Sequence, residues 1–174
     1  MKKSILVAVL VAAFALSPGA DLRASDLEQN SADASVLFRE ADPSLKEFFD
    51  SSYGYAIFPN VGKGGMGLGG AHGKGLVYRN GEIVGRTSLT QFTVGFQLGG
   101  QVYQQVIFFE NDRAYNDFTG GNFELSAQAS AIAAAAGVAA NAKYRHGVAI
   151  FTLGKGGLMY EASVGGQKFS FTPL

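Results

Sequence analysis

The chain has 174 residues, 47% hydrophobic and 16% charged, with 24 Gly, 4 Pro and neither Cys nor Trp. That length supports one globular domain with its own core, and zero Cys excludes a disulfide framework, thiolate metal sites, a thiol nucleophile and a lipid-modified cysteine. The formal charge of zero hides an asymmetry: residues 21–50 hold eight acids against three bases, while residues 51–174 hold more Lys and Arg than Asp and Glu, so an acidic leading segment precedes a basic body suited to anionic partners.

Lys2 and Lys3 precede an unbroken apolar run, Ile5 to Leu16, followed by Ser17, Pro18, Gly19 and Ala20. As a helix that run reaches only about 18 Å, short of a hydrocarbon core of about 30 Å. Residues 1–24 are therefore expected to be a secretory signal cleaved between residues 20 and 24, which places residues 25–174 in the periplasm or cell envelope.

Residues 25–52 carry a helical pattern in two runs, one holding Val36 and Leu37 and the other Leu45, Phe48 and Phe49. Asp42-Pro43 divides them as an N-cap carboxylate followed by Pro at the first helical position. Leu45, Phe48 and Phe49 share a face, which is either packed on the body or presented to a membrane.

Beyond Tyr53 the hydrophobic period switches to two. Leu76 to Val84 reads as a hairpin around Asn80-Gly81. Phe92, Val94, Phe96 and Leu98 alternate with polar or small residues, and Gly99-Gly100 turns the chain into Val102 to Phe109, so the middle of the sequence is an antiparallel meander with one dry face. Asn111 or Asp112 caps a short helix that Gly120-Gly121 stops. Residues 123–142 are ambiguous, because abundant Ala favours helix while the alternation of Leu125, Ala127, Ala129 and Ala131 with Ser126, Gln128 and Ser130 favours a strand, the preferred reading. Val148 to Phe151, Leu158 to Ser163 and Lys168 to Phe171 are closing strands.

An internal echo links Ala56-Ile57-Phe58 and Gly62-Lys63-Gly64-Gly65 to Ala149-Ile150-Phe151 and Gly154-Lys155-Gly156-Gly157. Both units read as an apolar strand running into a glycine loop with one Lys, a pseudo-symmetric pair of corners. Backbone amides in such loops can cradle a phosphate, with Lys63 or Lys155 beside it, although tight turns and close strand packing are the preferred reading of the glycines.

Gly65-Met66-Gly67-Leu68-Gly69-Gly70 matches G-x-G-x-x-G, but Gly73-Lys74-Gly75 leads into a strand where a dinucleotide site needs a helix, and neither Gly-Lys pair precedes a Ser or Thr. No nucleotide or other cofactor is expected. The histidines, His72 and His146, lie far apart, no His-Glu-x-x-His or Gly-x-Ser-x-Gly motif occurs, and Glu110 and Asp112 fit a solvated helix start. Neither a catalytic nor a metal site is expected, nor nucleic-acid binding, since Phe92, Phe96, Phe108 and Phe109 fall on apolar strand patterns.

The series from Gly54-Tyr55-Ala56-Ile57-Phe58-Pro59-Asn60-Val61-Gly62-Lys63-Gly64-Gly65 through Gly73-Lys74-Gly75-Leu76-Val77-Tyr78, Ile107-Phe108-Phe109-Glu110-Asn111 and Gly156-Gly157-Leu158-Met159-Tyr160-Glu161 resembles the SYLF domain family, known as an actin-binding domain in fungal members. The resemblance spans roughly residues 36–174. It implies a non-enzymatic lipid-binding module, since eukaryotic members bind phosphoinositides and other acidic lipids through basic residues and an N-terminal amphipathic segment. It transfers to Lys63 and Lys74, with Lys155 added by the internal echo and the Phe48 and Phe49 face assisting.

The expected architecture is α+β: a single domain with N-terminal helices packed on a strongly curved, Gly-rich, barrel-like antiparallel sheet. The expected function is peripheral binding of anionic lipid at the envelope, the alternative being a structural protein with an envelope protein partner. An integral outer-membrane barrel is disfavoured by the absent Trp, the terminal Leu174 and the helical residues before 52.

Overall fold

The computed structural model describes residues 18–66, 68–94, 100–121, 124–125, 131–132, 138–155, 157–161 and 166–174. The chain runs α1 (Pro18–Ala41), α2 (Leu45–Ser51), β1 (Gly54–Met66), β2 (Leu68–Arg79), β3 (Glu82–Val94), β4 (Gln101–Phe109), α3 (Asp112–Thr119), β5 (Glu124–Leu125), β6 (Ala131–Ile132), α4 (Val138–Asn141), β7 (Val148–Gly154), β8 (Gly157–Glu161) and β9 (Gln167–Pro173). The expected Phe96 and Leu98, most of residues 123–142 and the apolar run before Pro18 lie outside the described residues. Among the described residues no helix is long and apolar enough to cross a membrane.

One antiparallel sheet holds all nine strands in the order β5-β9-β3-β2-β1-β4-β7-β8-β6. Its central strands are buried on both faces, because Ala56, Phe58, Val61, Ile107, Phe109 and Ile150 enter one core while Ile57, Val106, Phe108, Ala149 and Phe151 enter another. Two-sided burial explains why these segments read as continuous apolar runs rather than as alternation. α3 fills the first core with Tyr115 and Phe118, whereas α1 and α2 cover the second with Ala34, Phe38, Leu45 and Phe48.

The sheet is strongly curved but open. β5 and β6 pair at opposite edges, with β9 and β8 respectively, yet Leu125 and Ala131 are only six residues apart in the chain. Six residues reach at most about 21 Å, whereas the outer strands of a flat nine-stranded sheet stand about 38 Å apart. The curl is therefore imposed by covalent connection. No pairing joins β5 to β6 among the described residues, so the expected barrel is a curled sheet that does not close.

Several local expectations are met. Asn80 and Gly81 take φ of 53° and 80°, the two left-handed residues of a type I′ hairpin. The Asn111 side chain accepts a hydrogen bond from the Ala114 amide at 3.1 Å and starts α3. The start of α2 differs from the expectation, beginning at Leu45 rather than Pro43. Asp42 instead accepts from the Ser44 amide through Oδ1 at 2.9 Å, so Pro43 and Ser44 form a turn and the carboxylate caps it from one residue earlier.

The glycine segments also differ. Gly62 to Met66 and Leu68 to Gly75 are strand, paired to each other, with β4 on the outer side of β1 and β3 on that of β2. Glycine weakens a strand in isolation, but ladder hydrogen bonds from both neighbours hold this one. The internal echo is out of phase: Ala56 and Phe58 face the α3 core, whereas their counterparts Ala149 and Phe151 face the α1 and α2 core. The two units are not pseudo-symmetric corners.

Candidate functional site

Register assigns every strand residue to one side of the sheet, since directly paired residues point the same way. Lys63 pairs with Ala71 and Gln101 on the concave side, and it is half-buried. Lys74 pairs with Asn60 and Ser88 on the convex side and is exposed. Lys155 is exposed in the turn between β7 and β8, three strands from Lys74 in the sheet order. The three lysines occur toward the same end of the strands without sharing one face.

That end carries an apolar group absent from the sequence-based expectation. Val102 is 62% exposed, pairs with Gly62, and begins β4 next to Gln101, the partner of Lys63. A Cβ added at Gly154 would lie 3.6 Å from Tyr103 Cβ, so the β7 to β8 turn that holds Lys155 runs alongside the start of β4. Val102, one residue on from Gln101, lies on the convex side, so Lys63 is at the same end of the sheet but on the opposite face.

Phe48 and Phe49 lie elsewhere. Phe48 is 9% exposed, with its ring centroid 5.4 Å from that of Phe108 and 5.2 Å from that of Phe151. Phe49 stands edge-on to Tyr55 and Phe108 at 5.1 and 4.9 Å, and the Arg39 guanidinium lies 3.9 Å above its ring. Of the two fates open to this face, packing on the body is the one seen. Lipid contact through these rings requires α2 to leave the sheet.

The helices are tied down by polar contacts as well. Asp42 is 1% exposed, and its second oxygen accepts from the Ala139 amide at 2.9 Å, joining the α1 to α2 turn to the start of α4. Tyr78, stacked on Tyr55 at 4.8 Å, has its phenol pushed up to about 12, first by burial, then by Tyr55 and Glu28, with the Ser31 hydroxyl opposing. Tyr144 is likewise raised to about 12, by burial, then Glu110, then Glu47. These three residues border a cavity of about 470 Å³ between α2 and α4, together with Phe48 and Lys143. Among the described residues no group of three or more His, Asp or Glu is placed to hold a metal ion.

The convex surface of β2, β3 and β9 is a polar array that the sequence alone does not connect. Leu76, Arg86 and Thr172 form one row, Lys74, Ser88 and Ser170 the next, and His72, Thr90 and Lys168 a third. The signal is present in the chain as two polar columns of similar kind, Arg86-x-Ser88-x-Thr90 and Lys168-x-Ser170-x-Thr172. Taken singly, each column is only the wet side of a strand.

Residues 90–172 match the family model described as Ysc84, a Las17-binding protein actin regulator. Among curated proteins, Beta cell expansion factor A of Aeromonas veronii is 33% identical over 135 residues, covering 76% of this chain. The chain spans about half of that relative's length, 51%.

Proposed function

This chain carries a SYLF domain of the Ysc84 family, matched over residues 90–172, and from that premise we propose an exported, non-enzymatic module that binds anionic lipid headgroups peripherally at the cell envelope. Lys63, Lys74 and Lys155 engage the headgroups from the same end of the strands, and Val102 enters the interface there from the convex side that it shares with Lys74. The observation that carries this reading is the exposed Val102 at the end of the strands that also holds the three lysines, since an exposed apolar residue and cations at one end suit the boundary between acyl chains and phosphates. Each Lys near an anionic surface contributes about 1 kcal/mol, so three together shift partitioning about a hundredfold.

The test is flotation of the protein with phosphatidylglycerol vesicles at low and high salt, against the Lys63→Ala/Lys74→Ala/Lys155→Ala variant and against Val102→Asp. The lysine variant is expected to stay at the bottom of the gradient, and salt is expected to release much of the wild type because attraction is screened within about 8 Å at physiological ionic strength. Equal flotation of wild type and the lysine variant, or indifference to salt, removes these lysines from the function.

A protein partner is the second reading. Val36 and Leu37 are 51% and 43% exposed as adjacent residues of α1, and the family model is named for binding another protein. Retained vesicle binding by a Val36→Asp/Leu37→Asp variant that loses capture of an envelope protein supports this alternative.

A further inference from the structure

The convex face of β2, β3 and β9 is rich in cations and hydroxyls. Lys74, Arg86 and Lys168 are all exposed there, with exposed His72 among them. Hydroxyls fill the positions between. The Ser88 and Ser170 hydroxyls stand 2.6 Å apart, and His72 Nδ1 lies 3.5 Å from the Thr90 hydroxyl. The described strands bring one acid into these rows, Glu124, opposite Lys168 at the sheet edge. Glu82 lies at the far hairpin end, paired with Arg79. α1 packs against β2, in which Leu76 is buried.

We propose that this face is a second headgroup-reading surface, occupied by the phosphates of an anionic bilayer. The inference rests on the lipid-binding reading above and adds Arg86 and Lys168 to it. Arg86 supplies a planar fork suited to a phosphate, Lys74 and Lys168 supply point charges, and the Ser and Thr hydroxyls donate and accept between them. Spacing argues for a surface rather than a single ligand. The rows of Arg86 and Lys168 are four residues apart along β3, about 13 Å, so no one phosphate reaches both, whereas a plane of phosphates does. Lys74 links this face to the end that carries Val102, so both surfaces can meet one bilayer along their shared edge.

The experiment compares four full-length proteins on phosphatidylglycerol and phosphatidylcholine vesicles: wild type, Arg86→Glu/Lys168→Glu, Lys63→Ala/Lys155→Ala, and the conservative Arg86→Lys/Lys168→Arg. Circular dichroism and thermal melting check that each is folded. Each cation is worth about fivefold in partitioning, and reversal doubles the change in charge, so the Glu pair is expected to weaken binding to phosphatidylglycerol at least twentyfold. The conservative pair is expected to stay within about threefold of wild type. A folded Glu pair that binds like wild type, while Lys63→Ala/Lys155→Ala loses binding, overturns this inference and leaves the lipid-binding reading in place. Wild type that fails to float at all overturns both. Wild type that ignores vesicles but is retained by heparin, with retention lost in the Glu pair, makes the occupant a soluble polyanion and likewise overturns the proposal.

Discussion

Gln105 on β4 and Gln167 on β9 exchange hydrogen bonds through their side-chain amides, Nε2 to Oε1, at 3.0 Å in one direction and 3.2 Å in the other. Both residues are 0% exposed, and four strand steps separate them in the sheet order. In a flat sheet those strands stand about 19 Å apart, beyond the reach of two glutamines. The pair therefore fastens the curl from inside, with Gln167 also donating to Gln91 at 3.5 Å and buried Thr152 on the same concave side.

Breaking this clasp should be costly in one way and cheap in another. Gln105→Leu leaves the buried Gln167 amide short of a partner, a loss of about 1–3 kcal/mol in unfolding free energy. Replacing both glutamines with Leu removes the orphan and should recover part of that loss. Urea denaturation of the two variants checks this; a single substitution costing under about 0.5 kcal/mol would show that the amides are not needed for the curl.

Two glycines on neighbouring strands give a paired control on packing. A Cβ at Gly75 would sit 2.4 Å from the Ile57 carbonyl oxygen and 2.7 Å from the Phe58 ring, whereas one at Gly62 meets nothing within 4 Å. Gly75→Ala must displace backbone in the central sheet, so a loss of about 3 kcal/mol or failure to fold is expected. Gly62→Ala is expected to be neutral or to stabilise by up to about 1 kcal/mol, because alanine loses less backbone freedom on folding. Comparable melting temperatures for the two variants would contradict this contrast.

These glycines also mark what was legible in the chain. The Asn80-Gly81 hairpin and the Asn111 cap could be read because the chemistry of two or three neighbouring residues decides them. Gly62 to Met66 and Leu68 to Gly75 could not be read as strand, because the flanking bonds come from β3, 12 to 26 residues away, and from β4, 38 to 40 residues away. The same holds for the split of the lysines: assigning Lys63 to the concave side and Lys74 to the convex side needs the register, including the irregularity between Ile57 and Asn60 that shifts the alternation of β1. The curl was legible only as abundant glycine. Its fastening, Gln105 to Gln167, joins residues 62 apart in sequence.

Asp42 is expected to hold the helical layer to the rest of the domain. Its buried carboxylate accepts from the Ser44 and Ala139 amides at 2.9 Å each, and hydrogen bonds to a charged group contribute about 1.5–3 kcal/mol apiece. Asp42→Ala should therefore lose about 3 kcal/mol or more of stability, and Asp42→Asn, which keeps one acceptor, less. Hydrogen exchange gives the specific readout: in a folded Asp42→Asn protein the Ala139 amide should exchange faster while amides of β1 and β4 keep their protection. Uniform acceleration everywhere would indicate a global effect rather than loss of this tie.

Alkali should loosen the same layer through its tyrosines. Tyr78 and Tyr144 ionise at about 12 in the folded protein against an ordinary value of 10.0, so the folded state holds its phenolic protons more tightly than the unfolded chain. A pKa raised on folding contributes stability that is complete below the unfolded value and disappears as pH rises through the folded one, which sets the window at about pH 10 to 12. Burial is the main cause at both sites, and Glu110 and Glu47 reinforce it at Tyr144. The near-ultraviolet absorbance of tyrosinate should therefore show late-titrating phenols, Tyr78 and Tyr144 with Tyr55, which burial also raises, and this late phase should be lost on denaturation. The Tyr78→Phe/Tyr144→Phe variant isolates the effect from lysine titration, and its unfolding free energy should fall less steeply over that window. Equal slopes for the variant and wild type would mean that these two phenols do not drive the alkaline loss.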